Sequence, residues 1–168
     1  YKLGKVFFEG ELGNQTAVSL NELLSIKSGD IFNRQYVVND IQTITDIYSD
    51  QGYAFVDIIP TTQDFLDTVN VTINISLNKK VYINRITISG NTRTQDEVIR
   101  REIGISEGGL YSRSALRNSV LKLRRLGYFS DVQMSANKVE GMTDKIDLSF
   151  IVEETKTGTI SFSVSHSN

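Results

Sequence analysis

The sequence predicts an α+β protein made of two tandem copies of one β-α-α-β-β unit. Each copy is read as a three-stranded mixed sheet with two helices on one face. Three observations carry this prediction. Leu116, Val120, Leu123 and Gly127 recur at i, i+4, i+7 and i+11, one stripe of an α-helix, and Val37, Ile41, Ile44 and Tyr48 show the same spacing upstream. Both stripes run into a Gly-Tyr pair, Gly52-Tyr53 and Gly127-Tyr128, and a strand-like run follows each pair. In the last element of each copy, Val69, Val71, Ile73, Ile75 and Leu77 alternate with polar residues, as do Ile146, Leu148, Phe150 and Val152.

The opening strand is Val6, Phe8 and Gly10, and it returns at an offset of 80 as Ile86, Ile88 and Gly90. Ser19-Leu20-Asn21-Glu22 reads as a capping box with Val18 and Leu23 as its hydrophobic staple, and Thr94-Gln95-Asp96-Glu97 as its counterpart at an offset of 75. That places a five-residue loss in the loop, where shortening costs little. Ser28-Gly29-Asp30-Ile31-Phe32 and Glu107-Gly108-Gly109-Leu110-Tyr111 then stand at an offset of 79, and Gly52 and Gly127 again at 75. The first helix of copy two therefore reads as four residues longer and its second helix as four shorter. Four residues is about one turn of ~3.6, so each stripe keeps its facing. Segments 55–61 and 129–136 are the middle strands, and the last strands stand at the 75 offset too. Turn-rich stretches 61–64 and 137–144 join the two final strands of each copy as an antiparallel hairpin. Because one side of each strand is polar, the helices cover only the other. Between the copies lies only Asn78-Lys79-Lys80, a joint short enough to limit articulation. The expected domains are 1–79 and 80–156, with 157–168 as one further amphipathic strand, frayed or disordered by itself.

Composition narrows the function classes. No cysteine is present, so disulfides and thiolate metal sites are excluded. His166 stands two residues from the end of the sequence and leaves no histidine for a nucleophile–base pair. Glu153 and Glu154 are neighbours in a strand and point to opposite faces, so they do not share a substrate. The stretch 104–109 has no lysine and no phosphate-loop spacing. Catalysis and a cofactor are not expected. Residues 1–80 carry 6 basic and 10 acidic side chains and residues 81–168 carry 12 and 10, too even a balance for nucleic acid as the main partner. No run approaches the ~18 apolar residues of a membrane helix. Tyr1-Lys2-Leu3-Gly4 has no signal-peptide pattern; if the protein is exported, its signal has been removed or lies outside this segment.

Binding features remain. The middle strands, through Phe55, Val56, Asp57 and Ile58 and through Phe129, Asp131, Val132 and Met134, read as sheet edges, Pro60 marking the first as such. An edge offers backbone groups for an added strand. The same edge can equally be blunted by Pro60, Asp57 and Asp131. Arg113, Arg117, Lys122, Arg124 and Arg125 make the fourth helix basic, either as a solvated face or as contact for an acidic partner or anionic lipid. Arg100, Arg101, Glu102 and Glu107 concentrate charge at the end of the third helix.

These residues resemble the POTRA domain family. The marks are a Gly after the first strand, Gly-x-hydrophobic-aromatic between the helices and Gly-Tyr after the second. In copy two, Ile88-Ser89-Gly90-Asn91-Thr92-Arg93-Thr94, Val98-Ile99-Arg100-Arg101-Glu102, Glu107-Gly108 and Leu123 through Leu126-Gly127-Tyr128-Phe129 are similar to the last such domain of BamA-like outer-membrane protein assembly factors. Copy one is similar to the domain before it, so the pair is identified as the fourth and fifth, barrel-proximal domains. The resemblance implies a non-catalytic scaffold on the periplasmic face of the Gram-negative outer membrane. Its partners would be unfolded outer-membrane proteins, in part by strand addition, a BamD-like lipoprotein, other subunits of the machine and the protein's own C-terminal β-barrel. Ile160, Phe162 and Val164 alternating with serine then resemble the first barrel strand. Glu107 falls at the lipoprotein contact, with Arg100 and Arg101 on the adjoining helix, while Gly104 stands where a longer, often charged residue is expected. The rival owners are another barrel translocase or secretion pore, or an FtsQ-like division protein. Tandem copies count against the latter.

Overall fold

The computed structural model describes residues 1–156; the strand expected at 157–168, and His166 with it, lies outside them. The chain divides into two compact units, the first Tyr1–Lys80 and the second beginning at Val81. The first unit runs β1 (Lys2–Gly10), α1 (Ala17–Leu23), α2 (Arg34–Asp50), β2 (Asp57–Phe65) and β3 (Thr68–Ser76). The second runs β4 (Tyr82–Ser89), α3 (Asp96–Ile103), α4 (Arg113–Arg125), β5 (Phe129–Lys138) and β6 (Lys145–Glu154). The sheets are ordered β1-β3-β2 and β4-β6-β5, so the last strand of each unit lies in the middle. It is parallel to the first strand and antiparallel to the second, which makes both sheets mixed.

The alternation in β3 and β6 is what seats the core. Val69, Val71, Ile73 and Ile75, like Ile146, Leu148, Phe150 and Val152, are each at most 4% exposed. Each contributes roughly 1.5–3 kcal/mol relative to an exposed side chain. The helical stripes meet this surface through Val37, Ile44 and Tyr48 of α2 and through Leu116 and Leu123 of α4. The Tyr48 hydroxyl donates to Leu12 C=O at 2.8 Å, and burial, then Tyr53 beside it, holds the phenol above its ordinary pKa.

The repeat register differs from the sequence reading. Leu20, Leu24, Val37 and Ile44 are matched by Ile99, Ile103, Leu116 and Leu123, all at a single offset of 79 and all buried. One spacing therefore covers both helices. The connecting loop has lost one residue rather than five, and α3 has 8 residues against 7 in α1 rather than four more. The shortening of the second helix by four is present, 17 residues against 13. The central strands are offset by 77, not 75, because β1 Val6 pairs with Val71 while β4 Ile86 pairs with Leu148.

Local starts and turns also move. Thr16, not Ser19, caps α1, its hydroxyl accepting from Ser19 N–H while the Ser19 side chain returns the bond. Val18 and Leu23 are exposed and form no staple. The N-cap of α3 is Gln95, without a side-chain bond. Residues 61–64 are not a turn. β2 continues to Phe65 and reverses across Leu66 and Asp67, with Leu66 at φ 54°. Thr61-Thr62-Gln63-Asp64 lies in an edge strand exposed on both faces, so this stretch is polar and reads as a turn.

One buried polar residue joins the helices of each unit. In the first, the Asp40 carboxylate on α2 accepts from Ser25 and Ile26 N–H, at 2.9 and 3.4 Å. In the second, Ser119, which stands at the equivalent helical position, donates its hydroxyl to Ile103 C=O. The exchange of carboxylate for hydroxyl follows the helix ends. α1 leaves through extended Leu24, which turns N–H groups toward α2. α3 stops at Gly104 in the left-handed region (φ 67°), which leaves a carbonyl there. Asp40→Ala is expected to lower stability by about 1–3 kcal/mol in urea unfolding, because two N–H groups lose their acceptor. Asp40→Asn, which keeps one acceptor oxygen, should lose less.

Candidate functional site

Each sheet has two rims, since its first and second strands both lie at an edge. In an edge strand, alternate residues turn N–H and C=O away from the sheet. At the start of β1 and β4 these groups are taken up by the segment after the first helix. Leu3 N–H donates to Asp30 C=O at 2.7 Å and Leu3 C=O accepts from Gly29 N–H at 2.8 Å. Ile83 exchanges the equivalent bonds with Gly109 and Gly108, at 2.8 and 2.7 Å. The Gly-x-hydrophobic-aromatic signature is thus a short cover over half of each first-strand rim.

Past the β-bulge that follows, the units differ. In β4 the outward residue is Ile86. Its N–H donates to Glu107 Oε1 at 3.0 Å and its C=O accepts from Arg100 Nη2 at 2.8 Å. Arg100 and Glu107 also face each other at 3.7 Å, their side chains 43% and 50% exposed. In β5 the outward residue is Val132. Its N–H donates to Asp131 Oδ1 at 2.9 Å and its C=O accepts from Arg124 Nη2 at 3.0 Å. Both rims of the second sheet are therefore closed at one residue by a carboxylate and a guanidinium. Ile86 and Val132 are buried.

In the first unit the positions of Arg100 and Glu107 hold Asn21 and Ser28, whose side chains are too short for the same bonds. Val6, the counterpart of Ile86, is half-buried and borders an open groove with Phe7, Phe8, Glu9, Ala17, Val18 and Asn21. On the other rim, Pro60 pairs with Ile73 inside the unbroken β2 ladder, so its missing N–H is on the outward side. Phe55 and Val56, expected in the strand, precede it, and Phe55 C=O accepts from Asn78 Nδ2 at 2.7 Å.

The expected binding residues are thus brought together in part. Arg100 and Glu107 meet over Ile86. Arg101 is exposed in the last turn of α3, and Phe129 is buried. Arg124 is bonded to β5 rather than free in solvent, and with Arg113 and Arg117 it rims a groove floored by Leu116, Val120, Leu121 and Met134. Sequence reasoning missed Glu154. Its carboxylate accepts from Thr92 Oγ1 (3.0 Å), Arg93 N–H (2.9 Å) and Thr94 N–H (2.8 Å), gripping the loop after β4 from the end of β6. Those bonds, that from Thr94 N–H first, hold its carboxyl below the ordinary carboxylate range despite some desolvation. The only signal for it was the alternation of β6, which sends Glu153 and Glu154 to opposite faces.

Two small mixed sheets, each with two helices and two edge strands, define a tandem-repeat α+β module. The chain belongs to the POTRA family, whose model, described as "surface antigen variable number repeat", matches residues 1–77 and 81–155. Outer membrane protein assembly factor BamA of Neisseria meningitidis serogroup B is 33% identical over 97% of this chain and 21% of its own length. That of Nitratidesulfovibrio vulgaris is 35% identical over 99% and 22%. The chain thus spans about a fifth of the curated relatives it matches. BamA of Haemophilus ducreyi lacking POTRA domains 1–3 superposes with TM-score 0.80 at 25% identity, over 92% of this chain and 30% of that one. The POTRA3–5 fragment of Haemophilus influenzae BamA shares the fold, also at TM-score 0.80, with 24% identity over 92% of this chain and 61% of that one.

Removing the carboxylate in Glu107→Ala should speed amide exchange at Ile86 by about tenfold, the worth of one such bond, and leave Leu148 unchanged. Glu154 has a depressed folded-state pKa, so its contribution is present above the unfolded carboxyl value and is lost as pH falls through the folded one. Urea midpoints followed from neutral to acid pH should decline less steeply in Glu154→Gln than in the parent.

Proposed function

We propose that this pair of domains is the barrel-proximal, fourth and fifth, part of a BamA-like assembly factor, working in the periplasm as a non-catalytic scaffold. The observation that carries this reading is the match of both units, in tandem, to POTRA domains, together with the superposition on a BamA structure that lacks the first three. In that role the chain receives unfolded outer-membrane proteins and docks a BamD-like lipoprotein, and its own C-terminal barrel lies in the outer membrane.

The chemistry of the rims supports client binding by strand addition, which needs only backbone groups and alternating side chains. At β5 a client has to displace Asp131 and Arg124 from Val132, with Phe129 and Met134 on the same strand. At β2, Asp57 and Ile58 are paired on one side only, and Pro60 removes one donor. Both of these edges therefore take a strand at some cost. For the lipoprotein, the half-exposed Arg100–Glu107 pair and the exposed Arg101 form one charged corner at the end of α3.

Glu107→Lys is a poor probe of that corner, because it also takes the acceptor from Ile86. Arg101→Glu, and Glu107→Gln with its remaining acceptor oxygen, separate docking from folding. Each is expected to weaken binding of the purified lipoprotein at least tenfold while leaving the melting temperature in place. Unchanged affinity in both overturns the docking assignment.

A further inference from the structure

We propose that the groove between α4 and β5 in the second unit binds a single anionic lipid. Its phosphate is held by Arg113 and Arg117, and one acyl chain lies along Val120, Leu121 and Met134. That the lipid belongs to an outer membrane rests on the function proposed above; that the ligand joins one anionic head to one hydrocarbon chain rests on the groove itself.

The sequence of α4 sets up both halves of this chemistry. Arg113, Arg117, Val120, Leu121 and Arg124 stand at i, i+4, i+7, i+8 and i+11, a second stripe beside the buried one of Leu116, Ser119 and Leu123. The core uses the buried stripe. The second stripe meets Met134 of β5 and lines the groove with it, and Leu121 keeps 39% of its surface exposed there. Arg124, tied to Val132 C=O, bounds the groove at one end, and Arg113 and Arg117 rim it at the other. The cavity measures about 390 Å³, the size of a small-molecule site. From Arg113 to Arg124 the helix rises roughly 16 Å, enough for a medium-length acyl chain to lie along it. No acidic residue stands between Glu107 and Asp131, whereas Arg113, Arg117, Lys122, Arg124 and Arg125 all do. In a chain of net charge −2, this concentration of cations selects an anionic head. Guanidinium forks fit phosphate oxygens, and two of them one helical turn apart can share one phosphate.

The first unit shows that the fold does not need this groove. Its equivalent measures about 200 Å³ and reaches along α2 only as far as Val38. At the offset of 79, Val38, Gln42 and Thr45 stand where the second unit has Arg117, Leu121 and Arg124. Pro60 takes the place of Met134, since the two pair with the equivalent central residues Ile73 and Phe150. α2 also carries Asp40, Asp46 and Asp50 against Arg34. One copy is short and weakly charged; the other is long, apolar along its floor and cationic at its rim. An acidic peptide is the rival occupant, and it suits the groove less well. Its amides would need acceptors, yet the Tyr111 hydroxyl and the Met134 thioether are the only ones among the lining side chains. On the adjoining rim, Val132 already has its N–H and C=O taken by Asp131 and Arg124. A lipid tail needs no such partners.

The whole chain is titrated with lauroyl lysophosphatidylglycerol, kept below its micelle concentration, and followed by amide and methyl shifts. Shifts at residues 113–124 and at the Met134 methyl are expected, with an affinity that falls as salt is raised. Arg117→Val and Leu121→Gln place the first unit's residues in the groove, and each should cut affinity at least tenfold with the melting temperature kept. Arg117→Lys, which keeps the charge but not the fork, should lose less than Arg117→Val. Glycerol phosphate has the head without the chain and should bind at least tenfold more weakly than the lysolipid. Equal binding of glycerol phosphate would overturn the lipid in favour of a plain anion site. Shifts spread over both units, or unchanged affinity in either groove variant, would show detergent-like adsorption and overturn the site. So would an acidic peptide that binds the groove and that the lysolipid does not displace. If the lysolipid binds as expected to a chain that takes up neither the lipoprotein nor an unfolded outer-membrane protein, the groove stands and the assembly role fails. If those partners bind and the lysolipid does not, the reverse holds.

Discussion

The strand made last in each unit occupies the middle of its sheet, hydrogen-bonded on one side to the unit's first strand and on the other to its second. That placement constrains everything else. The first strand has its only ladder partner at the far end of the unit, so its pairing is the long-range contact that completes each sheet. And because the centre is filled by the last comer, both earlier strands are left at rims. The backbone left open at these rims is thus a consequence of chain order, not an added feature.

Within that frame the two copies have solved the same local problems with different chemistry. Asp40 and Ser119 occupy one position and perform one task, but one accepts and the other donates, because the helix end it faces presents N–H groups in the first unit and a carbonyl in the second. The rims diverged in the same way. Arg100 with Glu107, and Arg124 with Asp131, are charged residues whose polar heads are turned back onto the backbone of an edge strand. Such inward use of charge suppresses unwanted strand pairing, and the first unit lacks it along β1.

Much of the fold was legible because hydrophobic period is a strong signal in long elements. The stripe of α2 and the alternation of β3 and β6 were read residue by residue, and the three-residue joint at 78–80 falls where the units divide. What failed was register. Matching the cap segments Ser19 and Thr94, and the alternating last strands, puts those elements at an offset of 75, whereas Leu20 with Ile99 and Val71 with Leu148 show 79 and 77, because a polar cap pattern and a period of two both fit more than one register. The site was legible only in outline. Edge strands were expected, and Pro60 and Asp131 were recognised as blunting groups. The closure of Ile86 was invisible because Arg100 and Glu107 stand on either side of a helix end, well separated along the chain. Only folding shows that both reach the same backbone unit. Glu154 was obscure for the same reason, its partners lying 60 to 62 positions earlier.

The chain leaves β6 at Thr155, whose N–H is held by Tyr128 C=O at 2.9 Å, just beyond the Glu154 carboxylate that grips residues 92–94. Tension applied from the C-terminal side therefore acts along a strand flanked by two ladders, and all of their bonds resist sliding together. Had the terminal strand been at a rim, the same tension would have peeled it away one bond at a time. A domain wired in this way is a firm mechanical anchor for whatever is tethered after it.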